Sequence, residues 1–160
     1  MKLCIVTHTV MKGDGQGRVN YEVAWEAIRR GHHVTLLASS VDLALQQHSQ
    51  VDWISIPVKG YPLQLVREIA FSTQSAWWLN KHQKEFDLIK LNGAITSARG
   101  DVNAVHFVHS SWLRSPIVYQ LSEPIKWLCL TKVALWNREG IKNCYNNAVI
   151  YGNITNCKVK

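Results

Sequence analysis

The sequence predicts an α/β protein in which a Rossmann-like parallel sheet carries helices on both faces. Short apolar runs of strand length alternate along the chain with longer segments that place apolar residues at helical spacing. A glycine-rich segment follows the first apolar run and leads into the first helical pattern. Strands that alternate with helices form right-handed βαβ crossovers, and these build a parallel sheet that is buried on both faces.

Six apolar runs are predicted to form the strands, and three amphipathic segments the helices. The strands are 3–7, 34–38, 53–58, 88–92, 104–109 and 148–151. The apolar face of the first helix consists of Val19, Val23, Ala24, Ala27 and Ile28. Gly31 ends that helix. The second helix, 63–82, has an apolar face made of Val66, Ile69, Ala70, Thr73 and Trp77, and the third spans about 118–138.

The composition fits one globular domain, 1–151, followed by a short polar tail, 152–160. Of the 160 residues, 47% are hydrophobic and 18% are charged, which is ordinary for a folded domain. No apolar stretch reaches the ~20 residues that span a bilayer, and a short strand rather than a signal-peptide core follows Lys2. We therefore expect a cytoplasmic protein.

The net charge indicates which partners the protein could bind, and the cysteine spacing indicates whether it holds a metal or disulfides. A formal net charge of +7 favours acidic partners such as nucleotide phosphates or anionic lipid headgroups. Lysines and arginines are spread along the chain rather than clustered, which argues against nucleic acid. The four cysteines form no CxxC pair, so the sequence predicts neither a metal site nor a disulfide framework.

Polar residues follow several predicted strands, at the edge of the sheet where ligands bind in folds of this kind. They are His8, Ser39, Ser40, Asn92, Gly93 and His109. Because the carboxyl ends of parallel strands meet at one edge, we expect these groups to line one cleft. At His109, beside Ser110 and Ser111, a structural role and a catalytic role both remain open.

Gly13, Gly15 and Gly17 lie at alternate positions before the first helix. A loop without side chains lets a phosphate approach backbone N–H groups, and a helix N-terminus adds positive partial charge, so this segment is a candidate anion site. A flexible turn is the alternative. The G-x-G-x-G spacing disfavours a dinucleotide site. The nearest candidate for the acidic residue that binds the ribose in such a site is Asp42, which lies beyond the predicted end of the second strand. No Lys-Ser or Lys-Thr follows the glycines, which excludes a P-loop.

Seven tryptophans are a large number for a chain of 160 residues. Trp77 is predicted to lie on the buried face of its helix, so its neighbour Trp78 points elsewhere. An exposed tryptophan beside a basic surface could stack on a sugar or contact a membrane, whereas packing between elements is the alternative.

Five stretches of the chain resemble glycosyltransferases of family 4. They lie at 5–9 (IVTHT), 13–24 (GDGQGRVNYEVA), 30–37 (RGHHVTLL), 86–93 (FDLIKLNG) and 101–109 (DVNAVHFVH). The resemblance extends from residue 1 to about 151. It implies a single half of the GT-B architecture and a retaining transfer of a sugar from a nucleotide-diphosphate donor to an acceptor, with no bound metal and no other cofactor.

The resemblance also assigns roles on the donor side. Gly13, Gly15, Gly17 and Arg18 correspond to the loop that approaches the donor diphosphate, where negative charge on the leaving group must be stabilised.

On the other side of the cleft, His109 corresponds to the family's histidine at its mouth, which helps to place the sugar, and is the candidate catalytic residue. Asn92, Gly93 and Trp112 are candidate acceptor-binding residues by their position.

A complete enzyme of this family is about twice as long as this chain, because a second domain holds the donor nucleotide. The resemblance therefore implies the N-terminal, acceptor-side half of a transferase, inactive without a C-terminal partner domain. Its substrates would be a nucleotide-sugar donor and an unknown acceptor, which is a saccharide, a lipid or a small molecule; peripheral membrane contact remains open. One alternative is a non-catalytic Rossmann-like module that binds an anion or a protein partner. Another is a nicotinamide-dependent oxidoreductase, although the acidic residue that would bind the ribose is missing from the sequence.

Overall fold

The computed structural model describes residues 1–13 and 15–105 and the backbone of residues 148–150. The strands are β1 (Lys2–Val10), β2 (His33–Val41), β3 (Val51–Ser55), β4 (Leu88–Leu91), β5 (Val102–Val105) and β6 (Ala148–Ile150). The helices are α1 (Gly15–Arg29), α2 (Leu43–Gln46) and α3 (Gln64–His82), and a 3-10 turn, Gln83–Glu85, follows α3. All neighbouring strands are parallel, in the order β3-β2-β1-β4-β5-β6. The predicted Rossmann-like α/β class is confirmed.

Strand β1 lies at the centre of the sheet and contributes to the core on both faces. Leu3 and Ile5 belong to the hydrophobic cluster that packs against α1, whereas Cys4 and Val6 belong to the cluster that packs against α3. Successive residues of a strand point to opposite faces, so a strand covered on both sides is a continuous apolar run. Burial raises the pKa of the Cys4 thiol to about 12, and this cysteine therefore acts as a small core residue.

Strand boundaries differ from the prediction where polar residues take part in the sheet. The third strand is Val51–Ser55 rather than 53–58, because Asp52 already pairs with β2 and its carboxylate binds His33 Nε2 at 2.7 Å on the exposed surface. Pro57, which has no N–H group for the ladder, prevents the strand from continuing as predicted. The fifth strand begins at Val102 rather than at 104, and residues 106–109 lie outside the described part of the chain.

Helix α1 begins and ends at glycines. Gly15 and Gly17 lie in its first turn, rather than in a loop before the helix as the sequence predicts. Gly31, at a φ of 78°, donates its N–H to the carbonyl of Ile28 at 2.8 Å and closes the last turn. The predicted helix stop at Gly31 is confirmed.

The buried face of α1 contains one polar residue that the sequence pattern does not predict. The buried residues are Gly17, Asn20, Tyr21, Ala24, Ala27 and Ile28. Val19, predicted to be buried, is exposed, and Asn20 points inward in its place. Hydrophobic periodicity cannot find a buried amide, because it scores Asn20 as a surface residue.

Helix α3 turns a different face to the core from the predicted one. Its buried residues are Phe71, Ser75, Ala76 and Leu79. Ile69 and Trp77, predicted to be buried, are 42% and 62% exposed. The helix is apolar on two faces, so periodicity alone cannot choose between them, and the contacts with the sheet select the face that contains Phe71. Trp78, predicted to point away from the core, instead packs against the α3 side of it and stacks on His82 with ring centroids 4.3 Å apart.

Three predictions lie outside the described residues: the helix 118–138, the polar tail 152–160 and the domain boundary at 151. Within the part of the chain that is described, no helix is both long and apolar enough to cross a membrane.

Two substitutions on α3 test which face is buried. Phe71→Ala should lower the free energy of unfolding by about 3–5 kcal/mol, because it leaves a cavity in the core. Trp77→Ala, on the exposed face of the same helix, should change it by less than about 0.5 kcal/mol. Urea unfolding of both variants measures the difference, and a larger loss for Trp77→Ala than for Phe71→Ala would contradict the observed orientation.

Candidate functional site at the carboxyl edge of the sheet

The order of the strands reverses between β1 and β4. The chain crosses from β1 outward to β2 and β3, and then returns to the other side of β1 to form β4. In open α/β sheets, ligands bind beyond the carboxyl ends of the strands at such a switch point. The amino terminus of α1 lies at this point, because only residues 11–14 separate it from the end of β1.

The surface in front of the first glycines is open. Gly13 and Gly15 are exposed, and a Cβ atom built on either would meet no atom of the described structure within 4 Å. Gly17 is buried and belongs to the packed side of the helix. The first turn of α1 carries no acidic side chain and is the positive end of the helix dipole, which favours an anion, whereas Asp14 immediately before the helix adds a negative charge to this segment of the sequence.

Arg18, the fourth residue predicted for the donor side, already has an ionic partner. Its Nε donates to Glu22 Oε1 at 2.7 Å, one turn further along α1, and both side chains are exposed. The guanidinium keeps other N–H donors for a ligand. Glu22 nevertheless offsets its charge, so Arg18 adds less positive potential than an isolated arginine would.

A buried polar cluster lies beneath the first turn of α1. Lys90 Nζ donates to Asn20 Oδ1 at 2.6 Å, and Asn20 Nδ2 donates to the hydroxyl of Thr7 at 3.2 Å and to the carbonyl of Gln16 at 3.1 Å. Asn92 Nδ2 donates to the same Thr7 hydroxyl at 3.3 Å. The cluster joins β1, β4 and α1 at the switch point. We refer to Thr7, Asn20, Lys90 and Asn92 as the polar cluster.

Of these four residues, only Asn92 is predicted from the sequence to belong to a site. Thr7 and Lys90 are hidden inside apolar strand patterns, and Asn20 within a helical one. A signal was present, however: a lysine in a strand predicted to be buried on both faces requires a polar partner, because an unpaired ammonium in the core is costly.

Burial changes the acid–base behaviour of Lys90. Only 7% of the residue is exposed, and this loss of hydration lowers the pKa of its ammonium from 10.5 to about 8. Its hydrogen-bond acceptor, Asn20, is a neutral amide and does not cancel the charge. The protonated form therefore places a positive charge under the amino terminus of α1.

The two predicted acceptor residues next to β4 are held rigidly. Asn92 is 3% exposed, and its Oδ1 has no hydrogen-bond partner within the described residues. Gly93 has a φ of 70°, which a side chain rarely adopts, and its N–H donates to Asn103 Oδ1 at 2.8 Å. The acceptor role of both residues stays a prediction, and the structure shows the backbone of Gly93 to be nearer the surface than the side chain of Asn92.

His8, near the end of β1, faces the opposite side of the sheet from Thr7. Its Nε2 lies 3.4 Å from Glu68 Oε2 on α3, and its ring packs on Phe71 with centroids 4.3 Å apart. Gln64 Nε2 donates to the other Glu68 oxygen at 2.7 Å. His8 thus links β1 to α3.

The end of β2 corrects one detail of the prediction. The strand continues to Val41, so Asp42 follows it directly, at the position that a ribose-binding acid would occupy. Its carboxylate instead accepts the N–H of Ala44 at 3.0 Å and caps α2.

Two further predicted site residues, His109 and Trp112, lie outside the described residues, and their roles stay predictions. Among the residues that are described, no group of three or more histidine, cysteine, aspartate or glutamate side chains could hold a metal ion.

The chain is similar to known proteins in its fold and in its sequence family. The chain is similar to the crystal structure of WaaG, a glycosyltransferase involved in lipopolysaccharide biosynthesis, with a TM-score of 0.55 and 18% sequence identity. The match covers 86% of this chain and 35% of WaaG, so the chain spans about a third of that protein's length. A search of curated proteins gave no significant match.

The sheet order, the helix terminus at the switch point and this structural similarity define a GT-B-type N-terminal domain. Residues 13–142 match the family model described as Glycosyltransferase Family 4, which covers more than half of the chain. The chain therefore belongs to glycosyltransferase family 4.

The lowered pKa of Lys90 predicts a stability that rises at alkaline pH. Between about pH 8 and pH 10.5 the unfolded chain keeps the lysine proton that the folded chain has lost, so the free energy of unfolding increases with pH. Relative to Lys90→Met, wild type should gain about 2 kcal/mol between about pH 8 and pH 10. Urea unfolding at several pH values measures the gain. The difference between wild type and the exposed-site control Lys84→Met should stay constant, and a constant difference for Lys90→Met as well would contradict the prediction.

Proposed function

We propose that this chain is the N-terminal, acceptor-side half of a retaining glycosyltransferase. The match of residues 13–142 to the family 4 model is the observation that carries the proposal. The enzyme transfers a sugar from a nucleotide-diphosphate donor to an acceptor, with net retention at the anomeric carbon and with no metal or other cofactor. The bond from the anomeric carbon to the diphosphate breaks, a bond to the acceptor oxygen forms, and the acceptor proton leaves with the diphosphate.

The amino terminus of α1 is the group that receives the donor diphosphate. The exposed glycines Gly13 and Gly15 let phosphate oxygens approach the backbone, and the helix dipole favours the negative charge that develops on the leaving group. Gly17 supports the turn from its buried side, and Arg18 adds donors from the surface. We assign the placement of the sugar to His109, and the binding of the acceptor to Asn92, Gly93 and Trp112.

Transfer requires a second domain. One domain cannot both hold the donor and enclose the reacting atoms against water, and the described residues around the α1 terminus form an open surface rather than a closed pocket. A C-terminal, donor-binding domain closes this cleft. Two apolar side chains near the carboxyl edge of the sheet are exposed: Met11, which follows β1, and Leu43, which begins α2. They support the proposal that a second domain covers this surface.

The acceptor is a saccharide, a lipid or a small molecule. WaaG takes part in lipopolysaccharide biosynthesis, which makes glycolipids the first acceptors to test. We place the protein in the cytoplasm with peripheral contact to a membrane. Trp77 rather than Trp78 is the candidate contact, since Trp77 is 62% exposed and Lys81 Nζ lies 3.7 Å from the centre of its ring.

A non-catalytic module that binds an anion or a protein partner is the second candidate function. The open surface at the α1 terminus supports it equally well, because it requires only the anion site and no second domain. Sugar transfer separates the two candidates.

Titration with anions tests the donor side. Isothermal titration of the chain with pyrophosphate, with a panel of nucleotide-diphosphate sugars and with NAD should show weak binding of the phosphate compounds. Gly15→Val should lower the affinity about tenfold or more, because its side chain fills the open space in front of the first turn.

Gly60→Val is the matched control, since its Cβ atom also meets open space but lies after β3. Equal affinities in all three proteins would contradict a phosphate site at α1, and tight binding of NAD alone would favour an oxidoreductase.

Complementation tests the transferase. The chain fused to the C-terminal domain of a family 4 enzyme should transfer sugar from a labelled donor to glycolipid or saccharide acceptors, and the product should keep the anomeric configuration of the donor. The chain alone should give no product. Transfer by the chain alone would contradict the half-enzyme, an inverted product would contradict retention, and a fusion that binds donor without any transfer would favour the non-catalytic module.

A further inference from the structure

Lys90 is a buried cation whose ammonium donates a hydrogen bond to the Asn20 side chain. It lies on β4, pairs in register with Ile5 of β1 and Val102 of β5, and sends its ammonium to Asn20 of α1 at 2.6 Å. The bond spans 70 positions in the sequence. It connects the strand after the switch point to the helix that starts there.

The ammonium determines which way the Asn20 amide points. Lysine is a donor only, so it accepts no hydrogen bond and must face Oδ1 rather than the NH₂ group. The NH₂ group is then directed to the carbonyl of Gln16, at 3.1 Å, and to the hydroxyl of Thr7, at 3.2 Å. A rotated amide would place two donors against each other at Lys90 and leave the Gln16 carbonyl facing an acceptor.

Gln16 belongs to the first turn of α1, between Gly15 and Gly17. These two glycines have no side chains with which to anchor the turn, so its position depends on contacts made by the residues around them. Asn20, held by Lys90, supplies such a contact from below. The turn is thereby attached to β1 through Thr7 and to β4 through Lys90.

We propose that Lys90 is a positioning residue for the first turn of α1, and that it acts through Asn20 to hold the backbone of Gly15 and Gln16 in the geometry that receives an anion. The identity of that anion as a donor diphosphate rests on the proposed function; the positioning does not. The uncancelled positive charge of Lys90 also adds to the attraction that the helix terminus exerts on the anion.

The first test measures the position of the turn without any ligand. Amide hydrogen exchange of residues 19–22, whose N–H groups donate to the carbonyls of the first turn of α1, and ¹⁵N chemical shifts of residues 15–18 are compared in wild type, Lys90→Met and Asn20→Asp. The aspartate keeps an acceptor for Lys90 but loses the donors to Gln16 and Thr7. In both variants we expect exchange at residues 19–22 to accelerate about tenfold or more relative to core amides such as those of Ile5 and Leu36. Acceleration of all amides together, or of none, would overturn the proposal.

The second test separates positioning from stability. The double variant Lys90→Met/Asn20→Leu replaces both polar partners with apolar groups, which removes the unpaired atom that either single variant leaves and so restores stability. We expect its unfolding midpoint in urea to recover, whereas its affinity for pyrophosphate stays about tenfold below that of wild type. Recovery of both properties would show that Lys90 acts only on stability and would overturn the proposal.

The two tests distinguish failure of this proposal from failure of the proposed function. If wild type binds neither pyrophosphate nor any nucleotide sugar, the donor site at α1 is wrong, and hydrogen exchange at residues 19–22 still decides the role of Lys90. If Lys90→Met does not fold, Asn20→Asp and the double variant carry the same comparison. Lys84→Met, an exposed charge removal, should leave both exchange and affinity at wild-type values.

Discussion

The central position of β1 is the constraint on which the rest of the structure depends. It pairs with β2 on one side and β4 on the other, and its residues from Leu3 to Thr7 are buried. Because the chain leaves β1 in one direction and returns on its other side, the end of β1 is the only place in the described sheet where two crossovers diverge. The amino terminus of α1 must lie there, since α1 is the first of these crossovers.

The same constraint explains why polar groups are buried beside β1. A strand that is covered on both faces has no access to solvent, so any polar side chain near its end must find a partner inside the protein. Three hydrogen bonds join Thr7, Asn20, Lys90 and Asn92 to one another. An apolar cluster of the same volume would pack at lower cost. The polar one attaches α1 in a single orientation, because donors and acceptors match in only one way.

Helix α3 has apolar residues on two faces, and only one of these faces packs against the sheet. The face with Phe71 and Leu79 packs over one face of the sheet, in a cluster with residues of β1, β2 and β4, where both side chains are fully buried. The other face remains outside, where Lys81 covers the ring of Trp77. On the buried side Phe71 and Leu79 share one cluster with Cys4, Val6 and Ile89, and Trp78 packs against its edge.

The sequence by itself determined the class of the fold, the existence of the six described strands and of helices α1 and α3, and the stop at Gly31. These features depend on local chemistry: the period of apolar residues, the conformational freedom of glycine and the strand-to-helix alternation. The family followed as well, because its motifs are contiguous stretches. Strand limits such as the start of β3 at Val51 did not follow, since Asp52 is polar and joins the sheet only through its exposed partner His33.

Only the tertiary structure decided the polar cluster and the buried face of α3. Lys90 and Asn20 are 70 positions apart, and nothing local to either residue indicates the other; their bond exists because parallel pairing of β1 with β4 brings the two together. Burial on α3 was decided by the fit of one of two apolar faces to the sheet. Periodicity reports that a face is apolar, whereas the shape and partners that the remainder of the chain provides determine which face is covered.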